Sequence, residues 1–263
     1  MSPRHLGLFT YLIATAVLLF LAVPILIIIP LALNSADYLR FPPAGLSLRW
    51  FDDVLSNPDW LESAWISFQI AIYSTMLSLI LSMLAALALV RGRFPMKGAV
   101  YALILLPMIV PNVISAVAMF FFFSDLPGIA STLAITIGHT VLAIPIATII
   151  LASTLQGVDI RLENAALSLG ADRFTAFRRI TLPLIAPGIA SAFVFAFLSS
   201  FDELLIAMFM SGTGSQTLPV RIWNTVLFEL NPTIAAVSTL LIGITVVCLL
   251  LVSLGSRRSK RGA

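Results

Sequence analysis

Long apolar runs alternate with short polar connections along the whole chain, and the length of the runs decides the fold class. A helix that crosses a bilayer takes about 20 apolar residues, and lipid admits only helices or closed barrels as spanning structures. The runs here are too long for barrel strands. They predict an all-α, polytopic membrane protein with six transmembrane helices, over residues 8–33, 63–90, 98–123, 129–155, 184–210 and 232–254. These helices make a single transmembrane domain, 1–263, without an internal repeat or a separate soluble domain. The first run follows Arg4 and His5 and continues through Pro24 and Pro30 to Asn34 without a convincing small-x-small cleavage site. It exceeds the roughly 7–15 apolar residues of a cleavable signal peptide, so it reads as a retained first helix.

Composition agrees with this pattern. Hydrophobic residues make up 60% of the chain and charged residues 10%, with a mean hydropathy of +1.06, against about 25% charged residues in an average soluble domain. The pI of about 9.4 does not point to nucleic acid, because the basic residues flank apolar segments in short clusters, where membrane orientation accounts for them. One side of the six-helix arrangement collects Arg4, then Arg91, Arg93 and Lys97, then Arg161, Arg173, Arg178 and Arg179, and finally Arg257, Arg258, Lys260 and Arg261. The other side holds only Arg40, Arg49 and Arg221. The positive-inside rule therefore places both termini and the connection 156–183 in the cytoplasm. Cys248 lies in an apolar run and suits packing, so neither a disulfide frame nor a cysteine metal site is expected.

The first external loop carries the sequence SLRWFDDVLSNP, in which Leu48, Phe51, Val54 and Leu55 recur at helical spacing beside Trp50. A short interfacial helix is expected there, serving either as a docking surface or as a connector resting on the membrane. Helices three and four contain breakers: Pro107, Pro111 and Asn112, then Gly138, His139 and Pro145. Proline inside a span kinks it where protein or a cavity satisfies the freed carbonyl. Such kinks suit a moving pathway and also occur in static bundles. His139 is read first as a hydrogen-bonded packing residue. Asp202 and Glu203 lie within the fifth run, towards its outer end, roughly 28–30 Å beyond Pro183 at 1.5 Å per residue. Acids at that depth point to a substrate pathway, to a gating salt bridge for which Arg221 is a candidate partner, or to interface exposure.

The longest polar interruption is the connection 156–183. Leu162, Ala166 and Leu169 fall on one helix face, Gly170 suits the left-handed residue that ends a helix, and Asp172 suits the cap of the next. Phe174, Phe177 and Ile180 form a second stripe, and Pro183 fits the first turn of helix five. The stretch reads as helix, tight turn, helix. It is either an amphipathic connector or, given the small residues Ala165, Ala166 and Ala171 beside a glycine corner, a surface that a partner approaches closely.

The motifs of several chemistries are absent. Neither Lys97 nor Lys260 ends a G-x-x-x-x-G-K phosphate loop, and there is no H-E-x-x-H, no G-x-G-x-x-G and no G-x-S-x-G. No catalytic residue and no metal site is expected. The chain carries no ATP-binding apparatus of its own.

The spacing of Ala165, Ala166 and Gly170, then nine residues, then Ile180-x-Leu182-Pro183 resembles the E-A-A-x(3)-G-x(9)-I-x-L-P signature of permease subunits of binding-protein-dependent ABC importers. One position departs from it: Asn164 stands where the signature has Glu, and Glu163 lies one residue earlier, so the carboxylate's contact is shifted or replaced by an amide. SLRWF, SFDEL at Ser200–Leu204 and TLPVRIW at Thr217–Trp223 are similar to the C-type permease subunit of spermidine/putrescine importers. The resemblance implies the type I importer permease architecture in a bacterial inner membrane and a coupling role for Glu163, Asn164, Ala165, Ala166, Gly170, Ala171, Asp172 and Phe174. It also implies separate ATPase subunits that bind ATP and Mg, a second permease subunit and a periplasmic solute-binding protein. Asp202 and Glu203 become candidates for the pathway or gate of a polyamine. Aminoethylphosphonate, opines or other small organic solutes are the alternative cargo, and an ion-driven stand-alone transporter is the alternative class.

Overall fold

The computed structural model describes the backbone of residues 3–259 apart from 127, 130, 213 and 230, and the side chains of 10–246 with the same exceptions. The side chains of Arg4, His5, Cys248, Arg257 and Arg258, and all of Lys260 and Arg261, lie outside the described residues. The chain forms two compact units, one of residues 1–61 and 222–263 and one of residues 62–221.

The first unit contains α1 (Pro3–Ala32), α2 (Arg49–Ser56) and α12 (Thr233–Ser259), with α12 packed on both of the others. The loop between α1 and α2 is built on Asn34, which is fully buried. Its amide donates to the Tyr38 carbonyl at 3.0 Å, its Oδ1 accepts from the N–H groups of Ala36 and Ala44, and its own carbonyl accepts from Trp50 Nε1 at 2.8 Å. The expected interfacial helix is α2. It turns Val54 inward while Leu48 and Leu55 stay exposed, and Asp53 accepts a hydrogen bond from Thr233 Oγ1 at 3.1 Å, which ties α2 to the start of α12.

The second unit holds most of α3 (Pro58–Arg91), then α4 (Lys97–Ile109), α5 (Asn112–Ser124), α6 (Ser131–Gln156), α7 (Ile160–Ser168), α8 (Arg173–Ala176), α9 (Leu182–Phe201), α10 (Leu205–Met210) and the start of α11 (Leu218–Phe228). Four helical runs among the described residues are long and apolar enough to cross a membrane: Thr10–Ala32, Pro58–Arg91, Ser131–Gln156 and Arg173–Phe201. The pair α4 and α5 makes a fifth if counted as one span, and the described part of α12, Thr233–Val246, is apolar but shorter. Two of the expected helices are therefore revised. The run 98–123 is two helices bent by 98° at Val110 and Pro111, a break rather than a kink. Pro111 has no N–H to bond back to Pro107, and its presence biases Val110 to the extended conformation that residue adopts, at φ −72° and ψ 132°. The run 184–210 ends at Phe201 and resumes at Leu205 as the short α10.

The unit packs through small residues. Helix α6 is buried along much of its length and lies against α9. On α3, Ser63, Ser67, Ser74, Ser78 and Ser82 form one buried stripe. Three of them reach other segments: Ser67 accepts from the Leu218 N–H at 2.7 Å, Ser74 Oγ lies 2.8 Å from Ser200 Oγ, and Ser82 donates to the Ile144 carbonyl at 3.1 Å. Small residues let helix backbones approach where lipid supplies no hydrophobic drive to associate. At Gly188 the approach is closest, since a Cβ there would stand 2.2 Å from Thr154 Oγ1 and 2.7 Å from Thr154 Cβ. Gly188→Ala is expected to push α9 off α6 and destabilise the chain by about 1–3 kcal/mol, whereas Gly243→Ala, whose Cβ would meet nothing within 4 Å, leaves stability unchanged or raised. Thermal unfolding in detergent micelles checks the contrast.

Candidate functional site

The segment between α6 and α9 folds as two short helices around a corner. Asp159 caps α7, its side chain accepting from the Arg161 N–H at 2.9 Å. At the other end Gly170 takes φ +89°, its N–H bonds to the Leu167 carbonyl, and the Ala171 N–H bonds back to the Ala166 carbonyl at 3.0 Å. These two bonds are the Schellman pattern, in which a left-handed glycine lets the last carbonyls of a helix find donors. The next residue but one restarts the helix. Asp172 accepts from the Thr175 N–H at 3.1 Å, and the Thr175 hydroxyl, followed by that N–H, holds the Asp172 carboxyl below its ordinary range.

Helix α8 leads through a widened π turn, Phe177–Thr181, directly into α9, so residues 173–201 are one helical run. Pro183 explains the widening. Its ring would collide with the Arg179 carbonyl in a regular α-turn, and the Leu182 N–H instead reaches back to the Phe177 carbonyl.

The residues singled out from sequence separate into two groups here. Asn164, Ala165, Gly170, Asp172 and Phe174 are exposed, and Ala166 and Ala171 are half-buried beside them. Leu169, at 89% exposure, and Phe174, at 68%, present apolar side chains on either side of the corner. Leu162 is also exposed, so the stripe of Leu162 and Leu169 points away from the chain's own core. Glu163 faces the other way. Its Oε1 accepts from Arg91 Nη2 at 2.9 Å and from Thr181 Oγ1 at 3.0 Å, and the same Arg91 nitrogen donates to the Val158 carbonyl at 3.0 Å. Glu163 thereby joins α7 to the end of α3 and to the start of the α9 run. Arg91 and Thr181 were not predicted. Arg91 is 72 positions away in sequence, and its only sequence signal is its place at the C-terminal end of a helix, where a cation is favoured.

A second polar region lies at the break between α9 and α10. Asp202 is exposed and lines a cavity of 740 Å³ with Met108 and Asn112 at the α4–α5 break, Pro145 and Ile146 of α6, and Leu198 of α9. Glu203 is 8% exposed. Its two oxygens accept from the backbone N–H groups of Leu205 at 3.1 Å, Ile206 at 2.8 Å and Ala207 at 3.4 Å. His139 is buried as the packing reading expects, with Nδ1 2.8 Å from Ser200 Oγ. Its Nε2 lies 3.3 Å from Glu203 Oε2 but off the line of a straight hydrogen bond, so that contact is chiefly electrostatic. Among the described residues no group of His, Cys, Asp and Glu is arranged to hold a metal ion.

Known proteins share both the sequence and the architecture. The spermidine/putrescine transport system permease protein PotC of Escherichia coli strain K12 is 28% identical over 94% of this chain and 94% of its own. The putrescine transport system permease protein PotI of the same strain is 33% identical over 85% of this chain and 82% of its own. Among solved structures, a bacterial ABC transporter involved in the import of the acidic polysaccharide alginate contains a chain that superposes with a TM-score of 0.74, at 16% identity and with 98% of each chain covered. The family of binding-protein-dependent transport system inner membrane components matches residues 78–260, which include the two breaks, the glycine corner and the Glu163 contacts described above. The chain belongs to that family and, within it, is an ABC importer permease subunit of the polyamine type.

Proposed function

We propose that this subunit sits in a bacterial inner membrane, pairs with a second permease subunit, and passes a small cationic solute of the polyamine class from a periplasmic binding protein to the cytoplasm. It performs no bond chemistry. ATP and Mg are bound by two separate ATPase subunits, which dock on the corner at Gly170. The observation that carries this reading is the two-sidedness of the α7–α8 corner, with exposed Leu169 and Phe174 on one side and the Arg91–Glu163–Thr181 contacts on the other.

Coupling requires that an ATPase movement at the corner reach the solute. The helical run 173–201 begins at the corner and ends beside Asp202, roughly 43 Å away at 1.5 Å per residue. A displacement of α8 therefore reaches the cavity through one continuous helix, while Glu163 makes α7 and the end of α3 move with it. The signature's carboxylate is thus given an internal partner, and Asn164, exposed beside it, is left to face the ATPase. The two states must differ in their contacts with the ATPase, since a ligand shifts an equilibrium only by its differential affinity. At the far end, Asp202 offers an uncompensated carboxylate in a largely apolar cavity, which suits an amine better than a neutral or acidic solute.

Three outcomes test the reading in the assembled transporter. A Cβ at Gly170 would meet nothing within 4 Å of the chain itself, so Gly170→Arg costs only about 1 kcal/mol of backbone strain. It is expected to abolish co-purification of the ATPase while the subunit still inserts; ATP-driven uptake at the parent rate would defeat docking at this corner. Glu163→Gln is expected to leave the ATPase bound but to lower the solute moved per ATP hydrolysed at least threefold, because an amide oxygen then faces the Arg91 guanidinium and the ion pair that holds α7 is lost. An unchanged transport-to-hydrolysis ratio would remove Glu163 from coupling. Asp202→Asn is expected to raise the half-saturating putrescine concentration about tenfold, and unaltered uptake kinetics would assign Asp202 a structural role.

A further inference from the structure

The acidic pair Asp202 and Glu203 is adjacent in sequence, and the structure divides its labour. Asp202 continues the face of α9 that carries Phe195, Leu198 and Ser199 along the cavity. Glu203, one position on, is turned to the buried side, next to the face of Gly188, Ala192, Ala196 and Ser200. One edge of Glu203 reaches the cavity wall, but both of its oxygens are engaged by the first turn of α10. We infer that Glu203 is a positioning residue, held by His139, that fixes α10 and with it the Leu204 and Leu205 wall of the cavity, while Asp202 alone reads the charge of the solute. The division rests on the proposed polyamine reading for Asp202 and stands apart from it for Glu203.

The physical reason lies in the N–H groups of Leu205, Ile206 and Ala207. A helix that starts inside an apolar bundle has no water for its first donors, and each must find an acceptor in the chain. The residue just before α10, Leu204, has no side-chain acceptor, and Ile206 and Ala207 are fully buried. The Glu203 carboxylate supplies that acceptor and places its charge at the positive end of the helix. Without it, the same three donors lose their acceptor and the first turn of α10 opens more readily. A single acid is therefore the latch that holds the first turn of α10 at the break.

His139 holds the latch. Ser74 Oγ lies 2.8 Å from Ser200 Oγ, which lies 2.8 Å from His139 Nδ1. When the Ser74 hydroxyl donates to Ser200 and Ser200 donates to Nδ1, the imidazole proton is assigned to Nε2, which faces Glu203 Oε2 at 3.3 Å. A line of neutral donors drawn from α3, α9 and α6 thus turns the His139 N–H dipole toward one carboxyl, an electrostatic contact rather than a hydrogen bond. Gly138, next to His139, keeps α6 close enough for this, since a Cβ there would stand 2.8 Å from Ile206 Cγ2.

The test uses the assembled transporter in vesicles, with amide hydrogen exchange over residues 204–210 and putrescine uptake as paired readouts. Glu203→Gln and His139→Leu are expected to speed exchange at 205–207 at least tenfold. They are also expected to cut the maximal uptake rate about tenfold with half-saturation within twofold of the parent, unlike Asp202→Asn. His139→Gln, which keeps an N–H for Glu203, is expected to restore both readouts to within threefold. Unchanged exchange in Glu203→Gln and His139→Leu overturns the latch, and so does a half-saturation shift in Glu203→Gln equal to that of Asp202→Asn. Should Glu203→Gln fail to insert, His139→Leu against His139→Gln decides alone. If the parent transporter does not take up putrescine, the solute reading fails and the exchange result still judges Glu203.

Discussion

In a bilayer every backbone N–H and C=O must find its partner inside the chain, and the architecture of this protein follows from how it meets that demand wherever a helix stops. Uninterrupted spans meet it automatically. The chain nevertheless breaks its helices at Val110–Pro111 and Asp202–Leu204, and again at Leu169–Gly170 outside the apolar spans, and each break handles its backbone groups differently. Pro111 has no N–H to satisfy. Gly170 adopts a left-handed conformation that turns two N–H groups back onto the helix before it. Glu203 uses its side-chain oxygens to accept from the N–H groups of the helix after it.

These breaks are also where the proposed function sits. The first and third line the same cavity, with Met108 and Asn112 beside one and Asp202 beside the other. The second forms the exposed corner. One helical run, residues 173–201, starts at the second and ends at the third. The π turn within it, forced by Pro183, does not interrupt the run, so the corner and the cavity belong to one mechanical element. Glu163 joins the base of that element to α3 by engaging Arg91 and Thr181, the contact through which the proposed coupling would move α3 and α9 together.

Much of this was legible in the sequence, because the signals are local. Run length gave the long helices Thr10–Ala32, Pro58–Arg91 and Ser131–Gln156, and Gly170 followed by Asp172 gave the corner with its end and its restart, since a left-handed position and an N-cap each select particular residue types. The short helix α2 was legible from the spacing of Leu48, Phe51, Val54 and Leu55. What was missed depends on distance or on direction. Pro111 was visible as a breaker, but composition does not separate a kink from a 98° break. Adjacent Asp202 and Glu203 looked like one acidic pair, because nothing in the sequence says that a helix ends between them and the rest of the run. The partners of Glu163 and His139 were invisible since Arg91, Ser200 and Glu203 meet them only after the bundle has packed.

The central claim is that the corner at Gly170 is the surface through which ATPase motion enters this subunit. Photo-crosslinking from a probe residue placed at position 169 or 174, in native membranes containing the whole transporter, addresses it most directly. The account predicts a crosslink to the ATPase from both positions whose yield changes when a non-hydrolysable ATP analogue is added. Crosslinks to lipid alone, from both positions and in both nucleotide states, would contradict it.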